Sequence, residues 1–158
     1  MIMQRLATIL ATFGYSGLIR PAPGTWGSLA ALPFGWLIMW LGGPIGLGIA
    51  IVVTFIIGLW AARAHMRAHR TMHDPSEIVI DEVAGQWIAL LPLTVFDPLG
   101  YGAAFVAFRL FDIWKPGPVG WADKRLKGAL GVMADDILAG IFAVICVLLL
   151  QYATGAIG

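Results

Sequence analysis

The sequence predicts an all-α, membrane-embedded bundle of about six helices, and three observations predict it. Hydrophobic residues make up 59% of the 158 and charged residues only 12%, against about 25% charged in ordinary soluble domains. Mean hydropathy is +0.86. The apolar residues fall in long runs punctuated by Gly/Pro-rich turns, and most charges gather in two polar loops. At this length the chain is one domain, residues 1–158.

The elements follow in order. Residues 1–13, MIMQRLATILATF, form an amphipathic surface helix. Gln4, Arg5, Thr8 and Thr12 take one face, and Ile2, Met3, Leu6, Ile9, Leu10 and Phe13 the other. No convincing signal cleavage site follows. After the loop GYSGLIRPAPGTWG, an apolar helix covers residues 28–41, with Ser28 as its N-cap. GGPIG turns the chain, and residues 44–62 form a second apolar helix.

The polar segment RAHMRAHRTMHDPSE leads into a third helix. Asp74, Pro75 and Glu77 suit its N-cap, N1 and N3 positions, and it runs to about Leu93. TVFDPLG turns it into a helix at 100–114. KPGPVGWADKRLKGALG forms the second polar loop, and residues 134–154 form the last helix. Several runs are shorter than the ~20 apolar residues that a lone spanning helix needs. They must tilt, share a bundle or use their charged ends.

Basic residues orient the chain. Arg63, Arg67 and Arg70 lie in one polar loop, Lys115, Lys124, Arg125 and Lys127 in the other. The opposite turns carry no Lys or Arg. The positive-inside rule puts both polar loops in the cytoplasm and the C-terminus outside. Asp81, Glu82, Asp112, Asp123, Asp135 and Asp136 then share the cytoplasmic level, with Asp97 on the far side.

A net charge of +1 gives no electrostatic case for nucleic acid. The single cysteine, Cys146, lies in an apolar run, can make no internal disulfide and reads as packed.

Carboxylates near hydrocarbon are costly unless they pair or bind a cation. Each acid alone also reads as a helix cap or as the partner of Lys124, Arg125 or Lys127. The doublets Asp81–Glu82 and Asp135–Asp136 together favour a metal, because several converging carboxylates repel until a hard cation such as Mg²⁺ neutralises them. Asp74 and Glu77 are equally explained by a capping box.

His65, His69 and His73 recur every four residues, a spacing that can bind zinc, although a solvated face ending at HDP is the reading favoured here. In RPAPGTWGS, the glycines around Thr25 and Trp26 can hold a phosphate on backbone N–H groups or form a tight turn. Lys115, in a stiff loop beside Asp112, suits a phosphate partner or the membrane surface. Trp26, Trp114 and Trp121 suit interfacial anchoring.

Familiar phosphatase nucleophiles are missing. Cys146 has no arginine six positions later, no DxDx(T/V) run exists, and no histidine-nucleophile pattern occurs. Metal-activated water remains. A non-enzymatic membrane protein with a one-sided acidic ion site is the alternative. The DGxxAR pattern of phosphatidyltransferases is absent from the sequence.

Four blocks carry a resemblance: PGTWGSLAALP, HDPSEIVIDEVAGQWIALLP, FRLFDIWKPGPVGWADK and GVMADDILAG. In this order, across roughly residues 14–145, they resemble the phosphatidylglycerophosphatase A family. The resemblance implies an all-helical fold with a central helix surrounded by others. It implies Mg²⁺-dependent hydrolysis of the phosphomonoester of phosphatidylglycerophosphate, giving phosphatidylglycerol at a bacterial cytoplasmic (inner) membrane with the site facing the cytoplasm.

Carried onto this chain, the family pattern falls on Gly24, Thr25, Gly27, His73 and Lys115 for substrate. It places Asp74, Asp81, Glu82, Asp135 and Asp136 at the metal, and Asp81, Glu82, Asp112 and Asp135 at the chemistry. The implied mechanism is in-line attack by a metal-activated water, with one carboxylate as base. The expected partners are the phospholipid substrate and the membrane, with room for a homo-oligomer.

Overall fold

The computed structural model describes residues 2–69 and 75–155. They form α1 (Ile2–Ala11), a 3₁₀ turn (Ser16–Leu18), α2 (Pro23–His69), α3 (Ile80–Leu90), α4 (Pro98–Trp114), α5 (Pro118–Arg125) and α6 (Gly128–Ala153). There is no strand among the described residues. The protein is a membrane-embedded helical bundle.

α2 and α6 are long and apolar enough to cross a bilayer. α2 breaks where the sequence puts its turn: Gly43 adopts φ 61°, ψ −163°, and Pro44 follows. Glycine takes such a backbone cheaply, and proline offers no N–H to continue the ladder. The two arms, 23–42 and 44–69, thus match the expected pair of apolar helices, but the first begins earlier and the second runs further. Ser28 is therefore no N-cap. It sits inside the first arm, and its hydroxyl donates back to the Gly24 carbonyl at 2.8 Å. The second arm carries helix through the basic segment as far as His69.

α3 is the central helix. It packs against α2, α4 and α6, and nine of its eleven residues are buried. It is shorter at its N-terminal end than the sequence suggests. The capping-box reading fails, because Pro75 and Glu77 lie in a turn and Val79 stands at the N-cap of a helix that begins at Ile80. Asp74, the third member of that box, lies outside the described residues, as does His73. Eleven residues at 1.5 Å each make about 16 Å, too short to cross a bilayer, so α3 stands enclosed between longer helices.

The approach of α3 to α6 depends on two glycines. A Cβ on Gly140 would lie 2.5 Å from the Gly85 carbonyl oxygen, and one on Gly85 would lie 2.6 Å from the Asp136 carbonyl oxygen. Small residues permit this backbone contact where larger ones would hold membrane helices apart. Phe108 of α4, fully buried, closes against Gly85.

Two further expectations change. α1 buries Ala7, Ala11 and Thr12 and turns Ile2, Met3, Leu6 and Ile9 outward. Thr8 and Thr12 thus face protein rather than water, because His65 and the chain's own carbonyls supply their partners. Cys146 is exposed rather than packed, on the outward side of α6 with Ile145, Leu148 and Leu149. This outward apolar surface, shared with the second arm of α2 at Ile45, Ile49 and Ile56, is far from what water tolerates and suits lipid. α5, inside the expected polar loop, is an eight-residue helix opened by Pro118.

Candidate active site

Asp81 and Glu82 occupy the first turn of α3, where backbone N–H groups favour negative charge. The Glu82 N–H donates to Asp81 Oδ1 at 3.0 Å. Asp136 comes from α6. Each helix has its crossing glycine four residues after the acid, Asp81 with Gly85 and Asp136 with Gly140, and residues four apart share a helix face. The glycine contact therefore carries the carboxylates together: oxygens of Asp81, Glu82 and Asp136 lie within 4.8 Å of one another. Asp81 is 5% exposed and Asp136 3%.

α6 starts at Gly128, so the second doublet lies about two turns inside the helix rather than at its head. Its members part company. Asp136 joins Asp81 and Glu82, while Asp135 accepts a hydrogen bond from Lys115 Nζ at 2.6 Å. The same ammonium donates to Asp123 at 2.5 Å. Lys115 is therefore not the partner of Asp112, which is paired with Arg109 Nη1 at 2.5 Å. Lys115 stands at the α4 C-cap in a left-handed conformation, φ 50°. This aims its side chain across to α5 and α6. Burial works against its charge, but the bonds to Asp123 and Asp135 outweigh that and raise its pKa above the ordinary lysine range.

Gly24, Thr25 and Gly27 form the first turn of α2 rather than a loop ahead of it. A Cβ on Gly24 would collide with Glu82 Oε1 and lie 3.1 Å from Arg109 Nη1. Gly24 thus meets the acid cluster directly. Gly27 packs instead on Val79, where a Cβ would lie 2.6 Å from the valine Cβ. Thr25 is half-buried, and its N–H and that of Trp26 are taken up by the Ala22 carbonyl.

Charge balance at the site is incomplete. No ion pair among the described residues reaches Glu82 or Asp136. Glu82 Oε2, Asp136 Oδ2 and Asp135 Oδ1 are buried without a hydrogen-bond partner, as is Arg109 Nε. Burial is the main reason the Glu82 carboxyl is raised to about 8; the Asp81 hydrogen bond and Arg109 oppose the rise, and the Asp136 and Asp112 charges add to it. Hard oxygen donors at this spacing, with unsatisfied lone pairs, fit a divalent cation of the Mg²⁺ kind.

Two site residues had little signal in the sequence. Arg109 reads there only as a basic residue one turn before a loop, and its i,i+3 spacing to Asp112 was the available clue. Gln86, fully buried one turn beyond Glu82, has both amide atoms unpartnered. Within an apolar run it gives no warning.

Comparison with known proteins places this geometry. The family model for Phosphatidylglycerophosphatase A matches residues 9–151. The chain belongs to the phosphatidylglycerophosphatase A family. A relative named Phosphatidylglycerophosphatase A from Haemophilus influenzae is 40% identical over 154 residues, covering 96% of this chain and 91% of its own. Another of that name from Escherichia coli is 39% identical over 136 residues, covering 85% of this chain and 77% of its own. A Bacteroides thetaiotaomicron relative with the provisional name phosphatidylinositol-3-phosphatase is 36% identical over 157 residues, 95% of this chain and 96% of its own. No solved structure matches the chain. As a member of this family the protein is an enzyme, a lipid phosphatase, and the non-enzymatic alternative falls away.

Proposed function

We propose that the protein hydrolyses the phosphomonoester of phosphatidylglycerophosphate to phosphatidylglycerol and phosphate, with Mg²⁺, at the cytoplasmic face of the bacterial inner membrane. The observation that carries this reading is the convergence of Asp81, Glu82 and Asp136 against Gly24 and Arg109. The names of the Haemophilus influenzae and Escherichia coli relatives support the headgroup. The basic residues of the two polar loops support the orientation, since cytoplasmic loops carry the excess of Lys and Arg.

Asp81, Glu82 and Asp136 would hold Mg²⁺, which when bound offsets phosphate charge and acidifies water. The remaining chemistry belongs to the chain. Arg109, anchored by Asp112 through Nη1, has Nε free to donate to a non-bridging phosphate oxygen. Gly24, with no Cβ, leaves the room in which the Glu82 carboxylate stands beside Arg109. Lys115 fixes Asp135 through Oδ2 and leaves Oδ1 unpartnered. Asp135 Oδ1 is thus the base that accepts the proton of the attacking water. The new P–O bond forms as the bond to the glycerol oxygen breaks, and that oxygen leaves as an alcohol after taking a proton from solvent. The outward apolar faces of α1, α2 and α6 hold the acyl chains' side of the site in lipid.

Phosphate release by the purified full-length protein in detergent tests this, with phosphatidylglycerophosphate and phosphatidylinositol 3-phosphate as separate substrates, before and after EDTA. The expected result is preferential turnover of phosphatidylglycerophosphate, abolished by EDTA and restored by Mg²⁺. Faster turnover of the inositol lipid would reassign the headgroup. Undiminished turnover in EDTA would remove the metal.

A further inference from the structure

His65 and His69 of the first polar segment have no part in the site above, and a solvated stripe was the expectation for both. The structure overturns that for His65, which is 1% exposed. Its Nε2 lies 2.8 Å from Glu77 Oε1, and its Nδ1 lies 3.3 Å from Thr8 Oγ1. His69, one turn later on α2, brings its ring to 4.4 Å from the His65 ring, centroid to centroid. Ligand atoms of His65, His69 and Glu77 lie within 4.8 Å of one another.

We propose that His65, His69 and Glu77 form a second metal site that takes a late first-row transition-metal ion of the zinc class. Two imidazoles four residues apart on one helix, completed by a carboxylate from another segment, match the donor set and spacing of three-ligand zinc sites. Imidazole nitrogen selects such an ion over Mg²⁺, which prefers oxygen alone. A simple His–Glu clip would account for His65 and Glu77, but it would need no second imidazole beside them.

The buried and exposed members divide the work. His65 is held from behind: with Nε2 on a metal, its Nδ1–H donates to Thr8 Oγ1, the outer-shell bond that metal-ligating histidines usually make. His69 is exposed and Glu77 half-buried, so an ion can enter from water and keep water in its open position. Ligand atoms around a tetrahedral Zn²⁺ are roughly 3.3–3.5 Å apart, from metal–ligand lengths of about 2.0–2.2 Å. The ion would replace the hydrogen bond between His65 and Glu77 and open that pair by about half an ångström.

The site would tie α1, the second arm of α2 and the segment before α3 together. Glu77 lies two residues before Val79, whose N–H donates to the Ala11 carbonyl of α1 at 2.9 Å. Its own carbonyl faces Gly17, where a Cβ would have no room.

Cobalt titration tests the proposal. The full-length protein in detergent is stripped with chelator, given excess Mg²⁺ to occupy the carboxylate site, and titrated with Co²⁺. Visible d–d bands should grow to one equivalent and be lost on adding Zn²⁺. His69→Ala and Glu77→Gln, both changes at accessible side chains, should each weaken Co²⁺ binding at least about tenfold, in line with losses known for disturbing a metal's ligand shells. Asp136→Asn should leave the titration intact, which separates this site from the acid cluster. Absence of d–d bands in the unmodified protein, or identical titrations in both variants, would overturn it.

Discussion

Gly24 and the Glu82 carboxylate share a space that admits no Cβ between them. The first turn of α2 and the first turn of α3, more than fifty residues apart in sequence, are thereby pressed together at the acid cluster. What yields on substitution is the flexible end of Glu82 rather than backbone. Gly24→Ala should therefore leave the fold nearly unchanged while pushing Glu82 out of line. We expect kcat/KM for phosphate release to fall about ten- to a hundredfold, or ~1.4–2.7 kcal/mol, with the helical circular-dichroism spectrum and thermal midpoint retained. A large drop in the midpoint would mean that Gly24 serves packing alone.

Asp81→Asn or Asp136→Asn should abolish turnover while the protein still folds and inserts. Each removes one charge from three converging carboxylates, so apo-protein stability should hold or rise as repulsion is relieved. Turnover assays paired with membrane flotation check this; full activity in both variants would remove the metal proposal.

Lys115 bridges Asp123 and Asp135, so Lys115→Met should act through Asp135. A charge-assisted bond is worth roughly 1.5–3 kcal/mol, which corresponds to a loss of about ten- to a hundredfold in kcat/KM. The dependence on Mg²⁺ concentration should barely move. Asp123→Asn, at an exposed residue, should cost much less. Equal losses from the two would argue against a special role for the Asp135 contact.

The same pair has a pH signature. Lys115 is raised above the ordinary lysine range, so the folded state holds its proton more tightly than the unfolded chain. The contribution to stability is complete below the unfolded value of about 10.4 and lost only as pH rises through the folded one. A kcat/KM profile should thus show no falling limb from this group below about pH 10. A limb in that range that vanishes in Lys115→Arg would refute the assignment.

Gly140→Ala differs in kind from Gly24→Ala, because the added methyl meets the Gly85 backbone, which cannot swing aside. Overpacking of this sort costs about 1–3 kcal/mol, so the thermal midpoint in detergent should drop together with activity. An unchanged midpoint would show that the α3–α6 crossing is looser than its geometry.

Labelling can check the orientation. With Cys146 replaced by alanine, a cysteine at Lys127, the N-cap of α6, and one at Phe96, just before α4, both exposed, should react with an impermeant maleimide from opposite sides of the membrane. Reaction of both from one side would overturn the arrangement.

Much of this molecule was legible in one dimension. Apolar runs and the Gly43–Pro44 break are local features, so membrane class, the apolar helices and the two-armed α2 could be read from composition and punctuation. The acid doublets were visible for the same reason, since carboxylates stand out against hydrocarbon. The start of α3, the helix α5 and the burial of His65 were not, because each depends on contacts from distant segments. Above all, Asp135 and Asp136 are neighbours in sequence but diverge by about 100° around α6. One turns to Lys115 and the other to Asp81 and Glu82. The chain alone supplies both carboxylates; only the close crossing at Gly85 and Gly140 decides which joins the cluster, because it sets the rotation of α6 against α3.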